Sequence, residues 1–225
     1  VYATLEVTNI DKTAPRITLS SNGNTTYKQS QSVTVTLADD HSGLATGASI
    51  KYGWSTSNTE APSYTAASIS SYSSGAKTAT FTATTPSGLA TNKYYLWVVH
   101  VNAKDVAGNS VVTKVSSGVF KFDNTAPTAG TMTMKLGSAS GGNYTNATWT
   151  NQSVYIALNN GSDGHSGHKT TSYSVNNGTA TTSAQTLSTE GTYTIKITTT
   201  DNAGNRATNT YTVKIDKTAP TAGTM

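Results

Sequence analysis

The carboxylates are the residues whose spacing could do chemistry. All eight aspartates fall in three kinds of place. Asp11, Asp123 and Asp216 each open a short phrase that ends in Thr-Ala-Pro. Asp39, Asp40 and Asp163 sit in a loop, where Asp40-His41-Ser42-Gly43 is echoed by Asp163-Gly164-His165-Ser166-Gly167. Asp105 and Asp201 open the turns Asp105-Val106-Ala107-Gly108-Asn109 and Asp201-Asn202-Ala203-Gly204-Asn205. Carboxylates drawn onto one seam repel unless something neutralises them. Calcium would do so, because it takes roughly 6–8 hard oxygen ligands from Asp, Asn, backbone carbonyls and water. The same residues are also ordinary turn formers, Asp capping its own loop and Gly supplying positive φ. No EF-hand spacing is present, and both readings stay open at this level.

Other reactive side chains do not assemble into a pattern. His165 and His168 stand three apart, but a zinc pair needs further ligands and the chain has no cysteine. His41 beside Ser42, and His165 beside Ser166, are neighbours in a loop, which rarely gives the geometry of a triad. G-x-S-x-G, P-loop and dinucleotide fingerprints are all missing. A Lys–Asn crosslink would need a buried acid in mid-strand, and Glu6, Glu60 and Glu190 stand elsewhere. The expectation is therefore a protein that is not an enzyme and requires no cofactor, with calcium as the one candidate ion. A net charge of +4 without Lys/Arg clusters argues against a nucleic-acid groove. No apolar run approaches the ~20 residues that span a bilayer. Tyr64 and Tyr72, in the Ser-rich stretch 55–77, are where a specific ligand contact would sit. The alternative for that stretch is a long hairpin loop with an extra strand.

The elements that must position these residues come in duplicate. Asp11-Lys12-Thr13-Ala14-Pro15 returns as Asp123-Asn124-Thr125-Ala126-Pro127 and again as Asp216-Lys217-Thr218-Ala219-Pro220. The spacings, 112 residues and then 93, are domain lengths rather than solenoid lengths. The divisions expected are residues 1–10, the last strand of a preceding repeat; 11–123, a first domain; 124–216, a second; and 217–225, the start of a following repeat. The first domain is longer, with much of the excess in 55–77. Hydrophobic residues make up only 35% of the chain, yet they alternate regularly. Ser32-Val33-Thr34-Val35-Thr36-Leu37 and Ser153-Val154-Tyr155-Ile156-Ala157-Leu158 read as strands with one wet face. Strands are also predicted at 16–19, 50–54, 78–83, 94–101 and 111–122, and then at 132–136, 172–175, near Leu187, 193–197 and 210–215. No stretch shows capped helical periodicity. The class expected is all-β: two antiparallel β-sandwiches in tandem.

Trp54 falls in the third predicted strand of the first domain and Tyr173 takes that place in the second. Gly191-Thr192-Tyr193 sets a tyrosine at the start of a sixth strand, as in a tyrosine corner. With the Ser-Val-x-x-x-Leu strand, the D-x-x-S-G-like loop, the D-x-A-G-N turn and the D-x-T-A-P linker, the chain resembles bacterial immunoglobulin-like domains. These occur as tandem repeats in large surface proteins and adhesins. The resemblance implies two immunoglobulin-like sandwiches in an extracellular stalk, at the cell surface or secreted, whose partners are neighbouring repeats and host or surface glycans or proteins. It also admits an accessory module, possibly glycan-binding, on a secreted enzyme. Giant adhesins of this kind hold calcium at their linkers. In such a fold the two aspartate loops lie at the pole where the chain enters. Asp11 would then face Asp39, Asp40, Asp105 and Asn109, and Asp123 would face Asp163, Asp201 and Asn205.

Overall fold

The computed structural model describes residues 7–59, 62–70, 72–101, 103–110 and 114–223. Among them the chain is all-β, with no helix and fourteen strands. It divides into two compact units, residues 1–124 and 125–225. Of the strand expected over 1–10, residues 1–6 lie outside the described residues, and 7–10 form no strand. Glu6, Glu60 and residues 111–113, 224 and 225 lie outside them too.

Unit 1 contains β1 (Arg16–Leu19), β2 (Ser32–Ala38), β3 (Ser49–Ser55), β4 (Thr65–Ala66), β5 (Thr78–Thr84), β6 (Asn92–Val101) and β7 (Lys114–Phe122). They form a three-stranded sheet, β1-β2-β5, and a four-stranded sheet, β4-β3-β6-β7. The period of two places Val33, Val35 and Leu37 of β2 inward with Ala79, Phe81 and Ala83 of β5. Leu96 and Val98 of β6 and Phe120 and Phe122 of β7 share that core. Trp54 packs edge-on against both phenylalanines, 5.2 and 5.6 Å between centroids, and is half-buried.

Unit 2 contains β8 (Thr131–Leu136), β9 (Trp149–Thr150), β10 (Val154–Asn159), β11 (His168–Val175), β12 (Gln185–Leu187), β13 (Gly191–Asp201) and β14 (Arg206–Ile215). Its sheets are β12-β10-β8 and β11-β13-β14-β9, again three strands and four. One core joins them, made by Met132, Met134, Val154, Ile156, Tyr173, Leu187, Ile195, Ile197, Val213 and Ile215. Every pairing between these strands is antiparallel except β9 beside β14.

Two strands escape the sequence pattern, and each is only two residues long. β4 arises inside the 55–77 stretch and pairs with β3, through Lys51↔Ala66 and Tyr52↔Thr65. Ser57 and Pro62 of the stretch come against the outward side of β3 and β6, while Ala67, Ile69 and Tyr72 pack on the core. A Cβ on Gly53 would lie 2.6 Å from Pro62 Cγ, so only glycine lets it approach so closely. Trp97, opposite Gly53 in register, is buried and donates its indole N–H to Ser57 O at 3.1 Å.

β11, β13 and β14 run further than the apolar alternation predicts. Their extra lengths include Thr170, Thr171, Thr198, Thr199 and Thr200, which suit a strand but carry no hydrophobic signal. Two of these threonines are inside. Thr199 Oγ1 accepts from Gly130 N at 2.9 Å, Thr171 Oγ1 accepts from Gly161 N at 3.2 Å, and the hydroxyls lie 3.2 Å apart. Buried polar groups satisfied in this way end the hydrophobic pattern without ending the strand.

Candidate functional site

In unit 1 the aspartates are held by their own loops before they face one another. Asp39 closes the loop after β2: its Oδ1 accepts from His41 N at 3.2 Å and Gly43 N at 2.6 Å. Leu44, fully buried, anchors the far side, with its amide donating to Ala76 O at 2.8 Å. Gly43 has φ 81°, and a Cβ there would stand 2.2 Å from Gly75 O, so the loop requires glycine twice over. Between β6 and β7, Asp105 Oδ1 accepts from Asn109 N at 2.7 Å and Oδ2 from Asn109 Nδ2 at 2.6 Å. Ahead of β1, Asp11 Oδ1 accepts from Thr13 N at 2.9 Å.

Further bonds stitch the three segments together. Ser42 N donates to Asp11 Oδ2 at 3.0 Å, Ala107 N donates to Ser42 Oγ at 3.3 Å, and Asn109 Nδ2 donates to Asp11 O at 3.2 Å. Asp11, Asp39 and Asp105 can each contribute a carboxylate oxygen such that all three lie within 4.8 Å of one another. Asp39 and Asp105 are 2% and 1% exposed. Among the described residues no donor reaches Asp39 Oδ2, and the one ion pair lies elsewhere, between Arg16 and Asp40.

Asp40 therefore departs from expectation. The sequence groups it with the facing carboxylates, but it is exposed and turned to Arg16, with Nη1 to Oδ2 at 2.5 Å. The counterpart of Asp163 is Asp39, the residue whose Oδ1 closes the loop, while Asp40 takes the place of Gly164. Asp11 is the carboxylate most affected by its surroundings. The Ser42 side chain above all, and then the Thr13 amide, lower its pKa from the ordinary 3.8 to about 2.

Unit 2 builds the same two loops. Asp163 Oδ1 accepts from Gly167 N at 2.7 Å and His165 N at 3.0 Å. Asp201 Oδ1 accepts from Gly204 N at 2.6 Å and Asn205 N at 2.8 Å, and its Oδ2 accepts from Asn205 Nδ2 at 2.8 Å. Ser166 joins the loops as Ser42 does: its Oγ accepts from Ala203 N at 3.3 Å. The sequence singles out both serines only beside their histidines and in the D-x-x-S-G-like loop, and gives no sign that they join the two loops. Asp123 follows β7, where its amide donates to Lys28 O at 2.9 Å and its carboxylate accepts from the Thr91 hydroxyl at 3.2 Å. Asp216 repeats the turn of Asp11, accepting from Thr218 N at 3.0 Å.

The remaining candidates do not gather into a site. His168 Nε2 lies 2.8 Å from Thr171 Oγ1, and His165 is exposed in its loop. Tyr72 donates its hydroxyl to Ala45 O at 3.0 Å and packs on the unit 1 core, while Tyr64 is half-buried just before β4.

The unit 1 donor set is oxygen only and carries three formal negative charges on Asp11, Asp39 and Asp105. Ligands each 2.3–2.6 Å from one calcium ion are at most about 5 Å apart, and the three carboxylate oxygens, within 4.8 Å of one another, meet that limit. Zinc favours nitrogen or sulfur ligands, and the three groups that converge in unit 1 are all carboxylates. No protein-family profile matches the sequence, and no curated protein matches it either.

Proposed function

We propose that this chain is a non-catalytic spacer from a bacterial cell-surface or secreted protein, built of two immunoglobulin-like sandwiches and stiffened by calcium. The observation that carries this reading is the stitched pair of aspartate loops, made twice with the same serine joining them. An immunoglobulin-like identity is supported by the sheet orders, and by a first segment that leaves the three-stranded sheet and rejoins the other beside the last strand. Tyr193 adds to it by donating its hydroxyl to Thr189 O, four residues upstream, at 2.8 Å. Asp11, Asp39 and Asp105, with Asn109 holding the turn, are the assigned ligands in unit 1. Asp163 and Asp201 are the corresponding loop ligands of unit 2. No helix among the described residues is long and apolar enough to cross a membrane. The extracellular setting follows from the spacer role.

Calcium that binds the folded chain and not the unfolded one raises stability by about 2.7 kcal/mol at a hundredfold excess over Kd. Melting in millimolar calcium is therefore expected to exceed melting in chelator, and Asp39→Ala should remove the part of the gain that belongs to unit 1. Equal melting curves in the two buffers would leave these aspartates as turn formers. The pH window follows from Asp11. Its folded pKa lies below the ordinary value, so its contribution is complete above pH 3.8 and is lost as pH falls through about 2.

A second reading, an accessory module that takes a glycan, is supported by a shallow groove of about 480 Å³ along Ala48, Ser49, Ala67, Ile69 and Tyr72. Specific binding on a glycan array, lost on deleting residues 55–77, would favour it over the spacer.

A further inference from the structure

The cations of unit 2 are scattered in sequence, but the fold gathers them. Its four-stranded sheet β11-β13-β14-β9 turns one face to the core and the other away from it. The alternation that buries Ile195, Ile197, Val213 and Ile215 sends every second residue from Thr192 to Thr200, and from Arg206 to Lys214, to the outer face. Those outer residues are threonine throughout, except for three cations, Lys196, Arg206 and Lys214. Ser172 and Ser174 continue the hydroxyls onto β11, and the exposed Trp149 closes the opposite edge beside Lys214.

The carboxylates of the unit are all elsewhere. Asp163 and Glu190 lie in loops, Asp216 follows β14, and Asp201, at the end of β13, is fully buried. Among the described residues no acid pairs with the three cations, and no protein group takes the hydroxyls of Thr194, Thr198, Thr208 or Thr210. Lys214 Nζ rests 5.7 Å from the centre of the Trp149 ring. In register, Lys214 stands level with Thr192, Lys196 with Thr210 and Arg206 with Thr200. The cations thus mark steps of four residues along β14, from 214 to 210 to 206, each step about 13 Å at roughly 3.3 Å per residue.

Threonine is common on a wet strand face, so the hydroxyls alone specify nothing. The charges narrow the choice. Cations spaced in this way, with unclaimed hydroxyls between them and no acid on the face, complement a sparsely charged anionic polymer that carries hydroxyls of its own. Duplex DNA has one charge about every 1.7 Å, far denser than this row. An acidic polypeptide would bring charge without the hydroxyls. A sugar ring has an apolar face that can lie against an exposed indole. We infer that the outer face of this sheet is a binding surface for a linear acidic polysaccharide. Its carboxylates or sulfates meet Lys196, Arg206 and Lys214, its hydroxyls meet the threonines, and one ring lies against Trp149. The surface belongs to unit 2 alone and rests on neither the calcium loops nor the unit 1 groove.

The experiment is binding of the whole chain to immobilised hyaluronate and chondroitin sulfate, with dextran, poly-glutamate and oligo-dT alongside. Binding to the acidic polysaccharides above all three comparisons is expected. A preference for chondroitin sulfate assigns the contacts to sulfate, and equal binding assigns them to carboxylate. Binding should weaken as salt is raised, because exposed charges are screened over about 8 Å at physiological ionic strength. Lys196→Gln with Arg206→Gln should reduce it about fivefold, the loss expected of two exposed charge contacts. Lys51→Gln with Lys93→Gln lowers the net charge equally, from unit 1, and should leave binding nearly unchanged. Trp149→Ala should cost several-fold. All five side chains are exposed, and melting curves matching the parent show that the variants are folded. Equal losses from the two charge pairs would reduce the effect to net charge and overturn the site. So would binding to oligo-dT or poly-glutamate as tight as to the polysaccharides, or no binding above dextran. None of these results touches the spacer reading, whose test is the calcium dependence of melting.

Discussion

Tyr173→Ala is expected to unfold unit 2 and to leave unit 1 folded. Tyr173 is 1% exposed and stands among Ile156, Ile195 and Ile197 in the unit 2 core. Its hydroxyl donates to Ser183 O at 2.6 Å and accepts from Gln185 Nε2 at 3.0 Å, so the ring and its tip are both engaged. Removing a buried aromatic of this size costs about 3–5 kcal/mol through lost transfer and an unfilled cavity. That is most of the stability of a small domain with about 5 kcal/mol to lose. Amide spectra recorded during chemical unfolding should show the unit 2 resonances disappearing early and those of unit 1 at their usual midpoint. Tyr173→Phe separates the two contributions: the ring stays, and a loss of about 1–2 kcal/mol is expected from the Ser183 carbonyl left without its donor. A single shared transition in the alanine variant would mean that the units do not unfold independently.

The second large effect is expected at Gly43, and Gly167 provides its control. Both have positive φ, 81° and 87°. An added Cβ at Gly43 would overlap backbone, 2.2 Å from Gly75 O and 2.4 Å from Gly75 C. At Gly167 it would meet only the Asn202 side-chain amide, at 3.2 Å. Gly167→Ala should therefore cost about 1–2 kcal/mol, the penalty of a left-handed residue with a Cβ. Gly43→Ala adds about 1–3 kcal/mol of overpacking to that penalty. It also displaces the amide that holds Asp39 Oδ1, so any calcium-dependent gain in the melting of unit 1 should go with it. Thermal melts of the two variants, with and without calcium, test both statements; equal losses at the two glycines would contradict them.

The strands were legible wherever alternation was apolar. Val33, Val35 and Leu37 mark β2, and Val154 and Ile156 mark β10, because one face of each is in the core. Legibility ended where strands stay paired without burying hydrocarbon. The inner threonines of β11 and β13 satisfy one another and nearby amides, and β9 is held by its backbone and by Lys214 while Trp149 is 61% exposed. Of the candidate site, residue types and loops could be read, but the pairing within the loops could not. Two adjacent aspartates, Asp39 and Asp40, look equivalent in a string of letters. Only the fold shows that one carboxylate turns inward to close the loop while its neighbour turns outward to Arg16.

In each unit the first segment runs parallel beside the last strand, residues 144–150 beside β14 and residues 22–28 beside β7, and this pairing bears on how tandem units fold. Tandem sandwiches that fold side by side can exchange strands, and the risk grows with the likeness of their sequences. Here the last strand of each unit is recognised by a different set of groups: Asn22, Asn24 and Lys28 for β7, and Tyr144, Asn146 and Trp149 for β14. If β14 were to settle beside residues 22–28 it would lose the phenol oxygen that receives Lys214 N and the ring beneath Lys214 Nζ. Each last strand is thereby matched to the first segment of its own unit, a difference that disfavours exchange of strands between the repeats during folding.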